Sequence, residues 1–278
     1  MSLRSIVAGT TTACLVLIAG CGEQGQPEPV SADQPPVGHA HGLAADPAAN
    51  VLYLATHTGL FRLHAQSPPS RVSTDAPDLM GFAVAGPGRF IASGHPDLTQ
   101  ALPAHLGLVE SRDGGRSWTP VSLLGQADFH VLEPIGERIY GYDSLAGRIR
   151  VTDDGRTWRD GASAPITDLL ADPSDAASLL VATSAGLRTS SDAGRTLTPV
   201  AGPDLRLLAR SGNAVIGLAS SGAVYRQEGS SWTMLSRLPG EPAALTAAVD
   251  VIHVALADGS VLSSFDKGYS WTSFRAGR

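Results

Sequence analysis

"SRDGGRSW" (111–118), "VTDDGRTW" (151–158), "SSDAGRTL" (190–197) and "SFDKGYSW" (264–271) are four versions of one phrase. In each, an Asp is followed two residues later by Gly, then by a hydroxyl residue and a large apolar one. "QEGSSW", ending at Trp232, is an eroded fifth copy. The four tryptophans of the chain, Trp118, Trp158, Trp232 and Trp271, all fill the last slot. The pattern is that of a hairpin turn. Asp113, Asp153, Asp192 and Asp266 are expected to accept hydrogen bonds from turn amides, and the Gly to take a positive φ. The apolar residue is expected to anchor the turn against its own sheet.

Working outward from these turns, a second marker has the same period. A glycine precedes an apolar strand at Gly59, Gly107, Gly147, Gly186, Gly222 and Gly259, at intervals of 36 to 48 residues. Self-similarity at about 40 residues is the signature of a four-stranded propeller blade. One copy shows how the strands fall: "ITDLLAD" as inner strand, then "SLLVAT", "GLRTSS" and "TLTPVA". The first copy runs "HGLAAD", "NVLYLAT", "GLFRLH" and "RVST". No sustained helical stripe occurs past the N-terminus. The prediction is an all-β, six-bladed β-propeller over residues 37–278. Two ways of closing the ring stand open: packing between the first and last blades, or an added strand from residues just before 37.

The ends of the chain set its expected location. Residues 1–20 carry Arg4, a short apolar run and "LIAG" immediately before Cys21. The run is too short to span a bilayer and reads as a signal peptide. "LIAGC" resembles a bacterial lipobox, which implies a lipid on Cys21 and a membrane-anchored, extracytoplasmic protein. Cys14 is the only other cysteine and falls within the removed segment, so the mature domain has no disulfide. Residues 21–36 comprise the lipidated Cys and a polar, proline-rich linker. With a formal net charge of −6 and no Lys/Arg cluster, nucleic acid is not an expected partner.

Propeller topology sends particular residues to one face. Turns joining the third and fourth strands of each blade lie on the bottom, with the Asp phrases. Connections between strands 2 and 3, and the starts of inner strands, lie on top. His39, His41 and His57 fall there in blade 1, and His95 and Asp97 in blade 2, within the long connection 93–105. Asp128, His130 and Asp143 fall there in blade 3. Imidazole and carboxylate together suit a divalent transition metal, so His39, His41, His57, His95 and His130 are candidate ligand or metal residues. The same groups supply general acids and bases, which makes Asp97, Asp128 and Asp143 candidate catalytic residues. A third reading has the histidines bonding loop carbonyls and ordering the mouth. His64 and His253 read as packed or surface residues, and His105, ending the long connection, fits either group.

The Asp phrases resemble the BNR, or Asp-box, repeat of sialidases and related propellers, in which the box is structural. Sialidases themselves use three arginines, a Tyr/Glu pair and an Asp. Here Arg206 is one candidate arginine, Arg116, Arg156 and Arg195 lie inside the bottom turns, and Tyr140 and Tyr142 are expected near the top of blade 3 without a Glu partner. The stretches "HAHGLAADP", "ATHTGLFR", "MGFAVAGPGRF", "SGHPDL", "SLLGQADFHVL" and "YGYD" resemble bacterial secreted or lipoprotein propellers labelled glycosylhydrolase-like BNR-repeat proteins. Sortilin-type propellers, which use Asp boxes in protein binding, are similar too. The resemblance implies a fold more than a chemistry. Three functions stand: a lipid-anchored propeller binding a small ligand or divalent metal on its top face, a glycoside hydrolase, and a scaffold docking a glycan or protein there.

Overall fold

The computed structural model describes residues 38–46, 51–65 and 67–274. The expected signal peptide, Cys21 and linker lie outside these residues. The described chain is all-β, in six four-stranded antiparallel sheets. Blade 1 is β1 (Ala40–Asp46), β2 (Val51–Thr56), β3 (Gly59–His64) and β4 (Ser67–Arg71). Blade 2 is β5 (Asp78–Gly86), β6 (Arg89–His95), β7 (Leu108–Ser111) and β8 (Thr119–Ser122). Blade 3 is β9 (Phe129–Ile135), β10 (Arg138–Asp143), β11 (Arg148–Thr152) and β12 (Arg159–Ser163). Blade 4 is β13 (Ile166–Asp172), β14 (Asp175–Thr183), β15 (Gly186–Ser190) and β16 (Thr198–Pro199). Blade 5 is β17 (Leu207–Ser211), β18 (Ala214–Leu218), β19 (Ala223–Glu228) and β20 (Ser231–Arg237). Blade 6 is β21 (Pro242–Ala247), β22 (Ile252–Leu256), β23 (Val261–Ser264) and β24 (Thr272–Ser273). The fold is a six-bladed β-propeller, and all six marker glycines have positive φ.

The core is divided among the blade interfaces. Six apolar clusters form, one between each pair of neighbours. The last closes the ring: Leu43, Leu54 and Phe61 of blade 1 pack with Ala244, Ala255 and Val261 of blade 6. Of the two closures considered, packing between terminal blades is the one seen among the described residues.

The same distribution corrects the expectation that each Trp holds its turn to its own sheet. Trp158 stacks on Phe129 of its own blade at 4.7 Å, but its Nε1 donates to Ser122 of the preceding blade at 2.9 Å. Trp271 likewise donates to Ser236 of blade 5 at 3.0 Å. Each ring seals a joint between blades, where an aromatic pair adds about 0.5–1.5 kcal/mol beyond area burial. The turns lean the same way. A Cβ on Gly115, whose φ is +87°, would come within 2.3 Å of Leu60 in blade 1.

Within the turns, Asp113 accepts from Ser117 N at 3.0 Å, Ser117 Oγ at 2.6 Å and Ser111 Oγ at 2.8 Å. Asp192 and Asp266 repeat this with Ser190 and Thr196, and with Ser264 and Ser270. Blade 3 departs from the prediction, because Asp154 holds its turn and Asp153 does not. Asp154 accepts from Thr152 Oγ1, Arg156 N and Thr157 N at 2.7–2.9 Å. Asp153 lies outside, paired with Arg138 and Arg159. The physical reason is the hydroxyl two residues before the acid, which orients the carboxylate. Thr152 supplies it for Asp154, whereas Asp153 would have only Val151.

These hydrogen bonds, led by those from Ser117, Thr196 and Ser270, hold Asp113, Asp192 and Asp266 down to about 2. A depressed acid stabilises the fold above its unfolded value near 3.8 and ceases to as pH falls through the folded one. Thermal melts should therefore show Tm dropping steeply between pH 4 and 2. Asp113→Ala should cost about 1–2 kcal/mol at neutral pH, and Asp154→Ala should lower Tm more than Asp153→Ala.

Candidate functional site

The mouth is organised by a repeated irregularity. Near the start of the inner strand, Ala40 faces Thr56 while Gly42 faces Ala55, which leaves His41 as an extra residue, a β-bulge. Blade 3 repeats it: Phe129 faces Asp143 and Val131 faces Tyr142, with His130 between. In blades 2 and 4 the extra residues are Met80 and Thr167. His41, His130 and Thr167 line an axial cavity of about 1040 Å³ bounded by the inner strands of all six blades.

Two further positions complete each blade's contribution. Two residues before the bulge stand His39, Asp78 and Asp128 in blades 1, 2 and 3. At the corner leaving the second strand stand His57, His95 and Ser144. The corner in blade 1 is set by Thr56, whose hydroxyl donates to Gly59 O at 3.0 Å and accepts from Thr58 N at 3.1 Å.

Across the joint between blades 1 and 2, His41, His57 and Asp78 bring one ligand atom each within 4.8 Å of the others. His41 Nε2 lies 3.1 Å from His57 Nδ1, which is 2.9 Å from Asp78 Oδ2. His41 Nε2 to Asp78 Oδ1 is 3.7 Å. His39 stands alongside, its ring centroid 5.4 Å from that of His41 and 6.0 Å from that of His57. Burial, and next the neighbouring His57, lower His41 to about 4, with Asp78 pulling the other way. At neutral pH this imidazole is an uncharged donor. Asp78 Oδ1 is buried without a hydrogen-bond partner.

One blade along, His95, His105 and Asp128 form a second such group. His130 is not a member. Its Nε2 bonds Asp128 Oδ2 at 3.0 Å. Burial works against the Asp128 carboxylate, but His130 and Ser144 outweigh it and keep its pKa below the usual range.

The remaining predicted residues serve the loops. Asp97 accepts from Ala76 N, Thr99 N and Thr99 Oγ1, each at 2.8 Å, pinning the long connection to the one before β5. Thr99 and Ala76 lower its pKa, so it holds no proton to donate at neutral pH. Asp143 is fully buried, accepts from Asp128 N and Leu145 N, and lies 3.0 Å from Arg150. Both carboxylates are engaged in holding the loops around them. Tyr140 is not at the top, because its hydroxyl donates to Ala176 O at the joint with blade 4. His253 is packed, against Ser263 and Phe274.

Asp78 is not singled out in the sequence, and His105 stays open there between the two groups. Asp78 was legible: aligned on the bulge, "DLM" (78–80) sits over "HAH" (39–41) and "DFH" (128–130). His105 carries no such signal. Inside the cavity, Glu133 accepts from Ala171 N, and Asp168 from Leu208 N and Leu169 N, joining neighbouring blades. Burial raises these acids to about 8 and about 7.

No protein-family model and no curated protein matches the chain. Solved structures do. A GH74 xyloglucanase from Xanthomonas campestris aligns over 85% of this chain and 45% of its own, with a TM-score of 0.55 at 18% identity. The nidogen/laminin complex aligns over 81% and 93%, with a TM-score of 0.63 at 14% identity. The shared element is the β-propeller. PorZ, a surface component of the type-IX secretion system of Porphyromonas gingivalis, aligns over 87% and 38%, at 0.54 and 14%. The chain thus spans less than half the xyloglucanase and PorZ, and at these identities the likeness is of fold alone.

A His with a depressed pKa destabilises the fold where the unfolded chain takes up the proton first. His41 in the metal-free protein should titrate near pH 4 by NMR, with stability falling as pH is lowered from about 6.5 to 4. His57→Ala should raise that pKa, and Asp78→Asn should lower it.

Proposed function

We propose that the chain is a lipid-anchored, extracytoplasmic propeller that binds a divalent transition metal at its mouth through His41, His57 and Asp78. The observation that carries the reading is the spacing of their ligand atoms, 2.9 to 3.7 Å. Ligands around a tetrahedral ion with bonds of 2.0–2.1 Å lie roughly 3.3 Å apart. Two nitrogens and one carboxylate oxygen suit Zn²⁺, Cu²⁺ or Ni²⁺ better than Mg²⁺ or Ca²⁺. The uncharged state of His41 and the unpartnered Asp78 Oδ1 favour a cation at this point.

In this reading the hydroxyl–Asp–Gly turns are Asp boxes that brace the ring, and the lipobox at Cys21 supplies the anchor. A glycoside hydrolase reading loses support because Asp97 and Asp143 are committed to loop structure. Nothing specific favours a protein-docking scaffold.

Calorimetric titration of Zn²⁺, Cu²⁺ and Ni²⁺ into metal-free protein tests the proposal. His57→Ala and Asp78→Asn should each weaken binding about 10- to 100-fold or more. Unchanged affinity in both variants would sink the assignment.

A further inference from the structure

We infer that the joint between blades 2 and 3 holds a second divalent transition-metal site, made by His95, His105 and Asp128, which clasps the neck of the loop 96–104. The inference extends to new residues the metal reading of the first joint, one repeat further round the ring. In the first group the corner histidine of blade 1, His57, meets the acid two residues before the bulge of blade 2, Asp78. In the second, the corner histidine of blade 2, His95, meets the equivalent acid of blade 3, Asp128. Where the bulge of blade 1 supplies His41, blade 2 has Met80, and the vacant role passes to His105 from the far end of the long connection.

Hydrogen bonding decides which atoms are left for a metal. His95 Nδ1 donates to Ala104 O at 2.9 Å, which fixes the ring and leaves Nε2 free. Asp128 Oδ2 accepts from His130 Nε2 at 3.0 Å and Ser144 Oγ at 3.1 Å, while Oδ1 is buried with no partner. His105 Nδ1 is likewise buried and unpartnered. Buried polar atoms are costly to leave unsatisfied, and two of them fall in this one group. The donor set is again two nitrogens and one oxygen.

The consequence for the loop is geometric. His95 ends β6 and His105 leads toward β7, so both sides of the neck converge on one centre, with the rings 5.3 Å apart. Asp97 and Gln100 already tie the near side to Ala76 and Asp75. A metal would tie the far side to blade 3 through Asp128. The loop carries Leu98, fully exposed.

The test is the metal count of the full chain in detergent, titrated with Co²⁺ and followed by its visible absorption, together with hydrogen exchange of residues 96–104. Wild type should take up two equivalents, and His105→Ala or Asp128→Asn one. His57→Ala should also leave one. Metal should slow exchange in the loop of wild type and His57→Ala, and not of His105→Ala. If His105→Ala and Asp128→Asn bind as many equivalents as wild type and keep the loop protection, the second site is refuted while the first stands. If His57→Ala alone changes nothing, the first assignment fails and the second survives.

Discussion

Everything in this molecule rests on the joint between adjacent blades. A single four-stranded sheet of this kind cannot bury its own faces, and here each apolar cluster is shared by two sheets. The turn residues obey the same constraint. Gly115 sits against Leu60 of the previous blade, and the rings of Trp158 and Trp271 reach back to Ser122 and Ser236. Surface ion pairs such as that of Arg148 with Asp160 are worth at most about 1 kcal/mol each, so packing decides the architecture. The ring closes without a covalent or strand-sharing latch among the described residues because the sixth joint is as apolar as the other five.

Closure by packing leaves the axis as the place where polar groups gather. The inner strands bring Glu133 and Asp168 into a cavity where burial favours their neutral forms, and each accepts backbone amides from the next blade. At the top, a β-bulge in successive inner strands adds one residue, His41, Met80, His130 or Thr167, and His41, His130 and Thr167 line the cavity. One structural device thus produces both the mouth and its chemistry. The paired groups at the first two joints are what a repeat yields when the same positions keep the same residue types in neighbouring copies.

The two His/Asp groups differ from a compact sequence motif in how they are held. No two of their residues are neighbours on one helix. In the first group they come from the inner strand of one blade, its second-strand corner and the inner strand of the next, and in the second from that corner, the long connection and the entry to the next inner strand, so their spacing depends on the blade joint. Supports such as Thr56 for the His57 corner, Ser144 for Asp128 and Asp143 for the segment carrying Asp128 fix these positions before any ligand arrives. Asp97 and Asp143, which look like free acids in sequence, are among those supports.

The sequence by itself determined the architecture, because the cues that define it are local. The hydroxyl–Asp–Gly phrase, present four times with an eroded fifth copy, the glycine before each of six third strands and the alternation within "ITDLLAD" act over a few residues. It also placed most of the mouth's histidines on the correct face, since antiparallel topology alone sends them there. Tertiary structure decided what local pattern cannot carry. The reach of each Trp depends on the neighbouring blade, whereas the choice of Asp154 over Asp153 was legible in Thr152, the hydroxyl residue two positions earlier. The partnership of His57 with Asp78, and of His95 with His105 and Asp128, arises because packing brings strands together that are far apart in the chain.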